Sequence, residues 1–206
     1  MEQDITRTIL ATSYLGNIHH YFYRINAEAV VLEDIERYKK QTFRNRCQIL
    51  GANGIQNLTV PVIAKNHSII RDVKISYDIQ WQKQHWKAML AAYNHSPYFE
   101  YYRDYFEPFY QKKYDFLWDF NMEIESVVLD LLDESKPFEL FSQIGQEGTA
   151  VVDRREAITP KKPVEDTNFL QKPYRQMMFS KGMFIPNLSI VDLLFNQGTE
   201  SYLYLS

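Results

Sequence analysis

Apolar positions along the chain change their period several times, and each change marks an element. Ile5 to Ser13 is dense in Ile, Leu and Thr, which suits a buried strand. Ile18, Tyr21, Phe22 and Ile25 then recur at helical spacing, after Gly16 and before Asn26. Ala29-Val30-Val31-Leu32 is a second short apolar run, ending in Glu33-Asp34. Strand, helix and strand in so few residues predict a βαβ unit with parallel strands. Asn45 to Leu50 and Leu58 to Ile63 flank Gly51-Ala52-Asn53-Gly54, whose Asn-Gly pair signals a hairpin. Val73 to Tyr77 alternates and predicts a further strand.

The middle of the chain reads as helix. After Asp78, a capping residue, Trp81, His85, Ala88 and Ala92 share one face, and Trp86, Met89, Leu90 and Tyr93 the neighbouring one. Ser96-Pro97 predicts the next start, an N-cap followed by proline at the first helical position. That helix carries Tyr98, Tyr102, Tyr105 and Phe109, with a kink or break before Pro108. A third helix turns Leu117, Phe120, Ile124, Val127, Val128 and Leu131 inward. Phe138 to Phe141 is a candidate strand. From Gln143 to Pro173 the periodicity fades, and Gly145, Gly148, Pro160 and Pro163 interrupt the chain. A stretch of that length inside a domain is usually a lid, a binding loop or disordered. Ser189-x-x-Asp192 is similar to a capping box, with Ile190, Leu193 and Leu194 behind it and Gly198 as a stop. The expected architecture is α/β. An N-terminal βαβ unit and a hairpin form a mixed sheet, followed by a helical middle region and a short C-terminal helix. One domain spans residues 1–206, with a loop or lid at 143–173.

Composition narrows the function classes. With 45% apolar and 24% charged residues, the chain can bury a core and fold as a soluble domain. A net charge of −3 and the absence of a long basic block argue against nucleic acid as a partner. The one dense basic stretch, Arg37 to Arg46, is short. A single cysteine, Cys47, excludes an internal disulfide framework and fits a reducing compartment. The start Met1-Glu2-Gln3-Asp4 is acidic where a signal peptide is basic, and no run approaches the roughly 20 apolar residues of a membrane span. The expectation is a cytoplasmic protein. Neither phosphate-loop nor dinucleotide glycine motif is present, nor H-E-x-x-H, a Cys pair or G-x-S-x-G. No metal site is therefore expected, and no cofactor is indicated. The five histidines show no local ligand spacing.

Several stretches together carry a resemblance. They are Tyr14-Leu15-Gly16, Lys40-Gln41-Thr42-Phe43-Arg44-Asn45-Arg46, Leu58-Thr59-Val60-Pro61, Trp81-Gln82-x-x-His85-Trp86, Tyr93 with Ser96-Pro97-Tyr98-Phe99, and Leu188 to Asn196 with Gly198. In this order they resemble the WbqC-like family over nearly the whole chain. Family members often carry a Gln-Pro-rich opening where this chain has Ala11-Thr12-Ser13. The resemblance implies a place in the synthesis of bacterial O-antigen and other surface polysaccharides. It brings no catalytic residue with it.

Candidate site residues come from the residue chemistry. Lys40, Arg44 and Arg46, beside Asn45, could clamp the phosphate or carboxylate of a sugar or nucleotide-sugar ligand. The structural alternative is a solvated basic strand end paired with Glu33, Asp34 or Glu36. His85 is the candidate proton carrier and Trp81 beside it the wall for a sugar ring, against a histidine hydrogen-bonded within the core. Asp34, at the end of the second strand, is the candidate catalytic carboxylate, against a turn-forming Asp. His19-His20 follow a strand at a helix start, where open α/β sheets bind ligands, but lack the H-x-G-H spacing of nucleotidyl-transferases. The expected function is a transferase-type enzyme acting on a sugar or nucleotide-sugar precursor. The alternative is a non-catalytic binding or assembly protein of the same pathway.

Overall fold

The computed structural model describes residues 6–65, 67–144, 150–156, 158–160, 166–177 and 183–206. In chain order the elements are β1 (Arg7–Ala11), α1 (Ile18–Asn26), β2 (Ala29–Glu33), β3 (Arg46–Gly51), β4 (Gly54–Thr59), β5 (Val62–Ile63), β6 (Lys74–Ile75), α2 (Trp81–Tyr93), α3 (Phe99–Phe106), α4 (Leu117–Leu131), β7 (Glu139–Leu140), β8 (Val151–Asp153) and α5 (Ile190–Gln197). The expected α/β class, the βαβ start and the helical middle are all present.

One sheet runs β7-β2-β1-β8, every pair parallel. β1 and β2 align Thr8 with Val30 and Leu10 with Leu32. Leu10, Val30, Val31 and Leu32 are fully or nearly fully buried, as both-face burial of a parallel sheet demands. After β2 and β7 have extended the sheet to one side of β1, β8 enters on the other, Thr8 beside Val152. The direction in which the sheet grows therefore reverses between β1 and β8. Ligands of open α/β sheets bind at the carboxyl ends of strands at such a reversal.

The hairpin strands β3 and β4 pair only with each other, so the expected mixed sheet divides into a parallel sheet and separate antiparallel ribbons. The partner strand also begins at Gly54 rather than Leu58. The turn is the two residues Ala52-Asn53, and Gly54 at φ 106° supplies the left-handed backbone that closes it.

The helices cover this frame through aromatic side chains. α2 buries Trp81, His85, Met89, Ala92 and Tyr93; α4 buries Leu117, Phe120, Ile124 and Val128. α5 is buried on nearly every side, and Phe195 meets Tyr93, Phe99 and Phe106 edge-on. Cys47 is buried here, its thiol pushed up by burial, which fits a packing role. α3 starts at Phe99, two residues beyond the position the Ser96-Pro97 signal gives, because Ser96 to Phe99 first closes a turn. It ends at Phe106, and a 3-10 turn, Glu107–Tyr110, absorbs Pro108. Among the described residues no helix is long and apolar enough to cross a membrane.

Candidate functional site at the carboxyl ends of β1 and β8

β1 runs directly into Thr12 and Ser13, both buried. The chain then turns through Leu15, at φ 44°, and Gly16 into α1. Gly16 passes so close beneath the turn that a Cβ would overlap Ser13 Oγ and press on His20 Cδ2, 3.0 Å away. Asn17 caps the helix through its side chain, accepting from the His20 amide. The Ile18 amide donates to Leu188 O and the His19 amide to Asn187 Oδ1. The first turn of α1 thus has its donors in use within the fold, so a ligand in front of it must be held by side chains.

Those side chains come from four segments. Thr12 and Ser13 extend β1, His20 comes from α1, Arg44 from the loop before β3, and Arg154 and Arg155 follow β8; all line one narrow cleft, closed above by Ile158. Asn121 of α4 braces its floor, donating to Thr12 Oγ1 at 3.1 Å and to Arg44 O at 2.8 Å. Carboxylates fix the arginines from behind. Glu36 takes Arg44 bidentately at 2.6 and 2.7 Å. Arg155 donates to Glu33 at 2.8 Å and to Asp153 at 2.6 Å. Arg154 reaches Asp166 at 3.4 Å and lies over the Tyr23 ring.

Three polar atoms in this cleft are buried without a hydrogen-bond partner among the described residues: Ser13 Oγ, His20 Nε2 and Arg154 Nε. Buried polar groups are nearly always paired, and each orphan costs about 1–3 kcal/mol. Three such groups on residues lining one cleft of about 10 Å³, room for roughly one water-sized oxygen, make it the candidate site for a polar ligand atom. Arg154 Nε is a donor only; Ser13 and His20 can donate or accept. Burial, with Arg24 and His19 adding to it, pushes His20 down to about 3, so its imidazole is neutral at pH 7. A phosphoryl, carboxylate or hydroxyl oxygen fits these partners. His19 faces away from this cleft toward Asp166, at 2.9 Å, and stacks on Phe169. Among the described residues no group of three His, Cys, Asp or Glu side chains is arranged to hold a metal ion.

The structure divides the residues expected from sequence. Arg44 lines the cleft, and Asp34 sits at the same carboxyl edge of the sheet. Both Asp34 oxygens are engaged: Ser142 donates through its amide and hydroxyl at 2.9 and 2.7 Å, and Arg71 at 3.2 Å. Burial alone would raise Asp34, but these donors outweigh it and hold the carboxyl below its usual value. Asn45 spends its amide on Val60 O, bracing the hairpin. Arg46 is half-buried on β3 and Lys40 is exposed; neither lines the cleft. His85 lies in the aromatic core, its Nδ1 3.0 Å from Tyr14 Oη and its ring edge-on to Trp81. Burial pushes it down to about 4. The three arginine and serine positions of the cleft that sequence reasoning missed had faint signals. Arg154-Arg155 stood inside the charged run Asp153 to Glu156, with no strand assigned before it, and Ser13 looked like the end of a strand.

The model of the WbqC-like protein family matches residues 14–162. The chain belongs to that family. The match begins at the turn after β1 and ends beyond β8, so it takes in His20, Arg44, Arg154 and Arg155. A WbqC-like chain of this length also has a relative in Mycobacterium tuberculosis (strain ATCC 25618 / H37Rv), named "Uncharacterized protein Rv1507c". The two are 28% identical over 207 residues, covering 86% of this chain and 87% of that protein. No solved structure matches.

Proposed function

We propose that this WbqC-like protein is a transferase-type enzyme of bacterial surface-polysaccharide synthesis, holding an anionic sugar precursor of the nucleotide-sugar kind at the carboxyl ends of β1 and β8. The observation that carries the reading is that Ser13, His20 and Arg154 line one cleft, with Oγ, Nε2 and Nε lacking a partner among the described residues. Arg154 and Ser13 would donate to a phosphate or carboxylate oxygen, and Arg44 would stiffen the wall. In a transfer from a nucleotide-sugar the acceptor's hydroxyl or amino group bonds to the anomeric carbon, the bond to the nucleoside diphosphate breaks with its electron pair leaving on the diphosphate, and the acceptor loses a proton. His20 Nε2 is the base available in the cleft, and a bound anion would raise it from its depressed value. The reading thus gives the proton-carrying role to His20 rather than to His85 or Asp34.

Calorimetric titration with UDP-, GDP- and dTDP-linked sugars tests it. At least one should bind, and Arg154→Met should weaken it about tenfold or more, as loss of a charge-assisted hydrogen bond predicts. His20→Asn should leave affinity within about threefold and lower turnover. Equal affinity of wild type and Arg154→Met would sink the assignment. Binding with no turnover on any acceptor favours the non-catalytic binding or assembly protein.

A further inference from the structure

A second hollow, of about 450 Å³, opens at the start of α2, within the size range of small-ligand sites. Its walls are the rings of Tyr77, Trp81, Trp86 and Tyr110; Trp86 stacks on Tyr110 at 5.5 Å. Lys83 and Lys113 stand at its rim, both exposed, and no Asp or Glu lines it. Lys113 Nζ lies 5.0 Å from the Tyr77 ring centroid. Trp81 is 1% exposed, and its Nε1, an obligate donor, has no partner among the described residues. The first turn of α2 has no acidic residue, and the Gln80 side chain makes no hydrogen bond to it. No acidic side chain of that first turn therefore offsets the positive end of the α2 dipole, which lies beside two lysines.

The geometry points to a binding site for an anionic pyranose, a sugar ring bearing a carboxylate or phosphate. The half-buried faces of Tyr77 and Trp86 offer apolar surface to the C–H face of the ring. The Trp81 indole, on a residue lining the hollow and without a partner among the described residues, is the donor available to one of its oxygens, and the acidic group sits toward Lys83, Lys113 and the helix start. A neutral sugar would leave the two lysines and the helix dipole unused, and an inorganic anion would leave the rings unused. None of these residues lines the cleft at β1 and β8, so the site stands independently of the function proposed there.

Tryptophan fluorescence and calorimetry on the full chain would use three probes: glucuronate, glucose 6-phosphate and methyl glucoside. Either anion should bind more tightly than the neutral glycoside, and the tighter of the two names the acidic group. Trp81→Phe, which keeps a ring in the core and removes the donor, should weaken the anion about fivefold. Trp86→Ala, at a half-buried position, should weaken it about tenfold. Arg154→Met should leave this binding unchanged. The site is overturned by no saturable signal with either anion, by equal binding of methyl glucoside, or by unchanged affinity in both tryptophan variants. Loss of binding in Arg154→Met overturns it too, since the sugar would then occupy the other cleft.

Discussion

Gly16 has no room for a side chain, because Ser13 and His20 of the candidate cleft pack directly against it. A methyl there must displace Ser13 Oγ or the His20 ring, which carry two of the three cleft atoms without a partner among the described residues. Gly16→Ala should lower the thermal midpoint, at a cost of about 1–3 kcal/mol, and weaken nucleotide-sugar binding with it. An unchanged melt would show that the turn yields easily. The histidines make a second prediction. His85 and His20 are held by burial near 4 and 3, against 6.5 in the unfolded chain. The unfolded chain binds more protons over that interval, so the stability from keeping these rings neutral is full above pH 6.5 and falls as pH drops toward 4 and then 3. For His85 alone the loss is about 3 kcal/mol. His85→Gln should flatten the decline between pH 6.5 and 4 in urea unfolding, while costing stability at pH 7 through the lost bond to Tyr14. A decline of the same steepness in the variant would assign it to other groups. The His19-His20 pair was legible from sequence by position, a helix start after a strand. Which of the two faces the cleft was not, because Asp166, which draws His19 away, lies 147 residues along the chain.

At the scale of elements, strong periodicity translated directly and weak periodicity did not. Leu117 to Leu131 has an apolar stripe over four turns, and the helix starts and stops where the stripe does. β7 has two residues and falls within Phe138 to Phe141, the stretch that reads as a strand; β8 has three, all exposed, and carries no alternation to detect. Their pairing is set by β1 and β2, which is tertiary information. The stretch from 143 to 173 thus contains the strand that completes the sheet; its residues 145–149, 157 and 161–165 lie outside those described. α1 and α4 are joined by another feature that no pattern announces. Arg24 and Glu125 are 2% and 3% exposed, with Nε 2.7 Å from Oε1, while Oε2 has no partner among the described residues. Burial raises the Glu125 carboxyl against the pull of Arg24. Arg24→Met should therefore cost about 3–5 kcal/mol, because it strands a buried acid. Adding Glu125→Leu should restore most of that loss, since an apolar pair removes both desolvation penalties. Urea unfolding of the single and double variants measures the difference, and additive losses would mean that the two side chains act separately.

For the whole molecule, the consequence is a site assembled from distant parts of the chain around one strand of low intrinsic stability. β1, beside Ser13, is locked by β2 and by burial on both faces. β8 brings Arg154 and Arg155 from some 140 residues away and holds to β1 by three pairs, Arg7 with Val151 to Ile9 with Asp153. Val151 and Val152 are 48% and 37% exposed, so little apolar burial adds to those backbone bonds. What does tether the strand is charge: Arg155 to Glu33 and Arg154 to Asp166, the same arginines that line the cleft. Segments with few buried contacts open locally far below the global unfolding free energy. The amides of β8 should therefore exchange with deuterium well ahead of those of β1 and β2 in the free protein. A nucleotide-sugar bound through Arg154 favours the docked strand by its differential affinity, and should slow exchange in β8 while leaving β3 and β4 unaltered. In Arg154→Met the same ligand should protect nothing. Equal protection of β8 and β1 without ligand would mean that the site is rigid and preformed, and that binding cannot draw on this equilibrium.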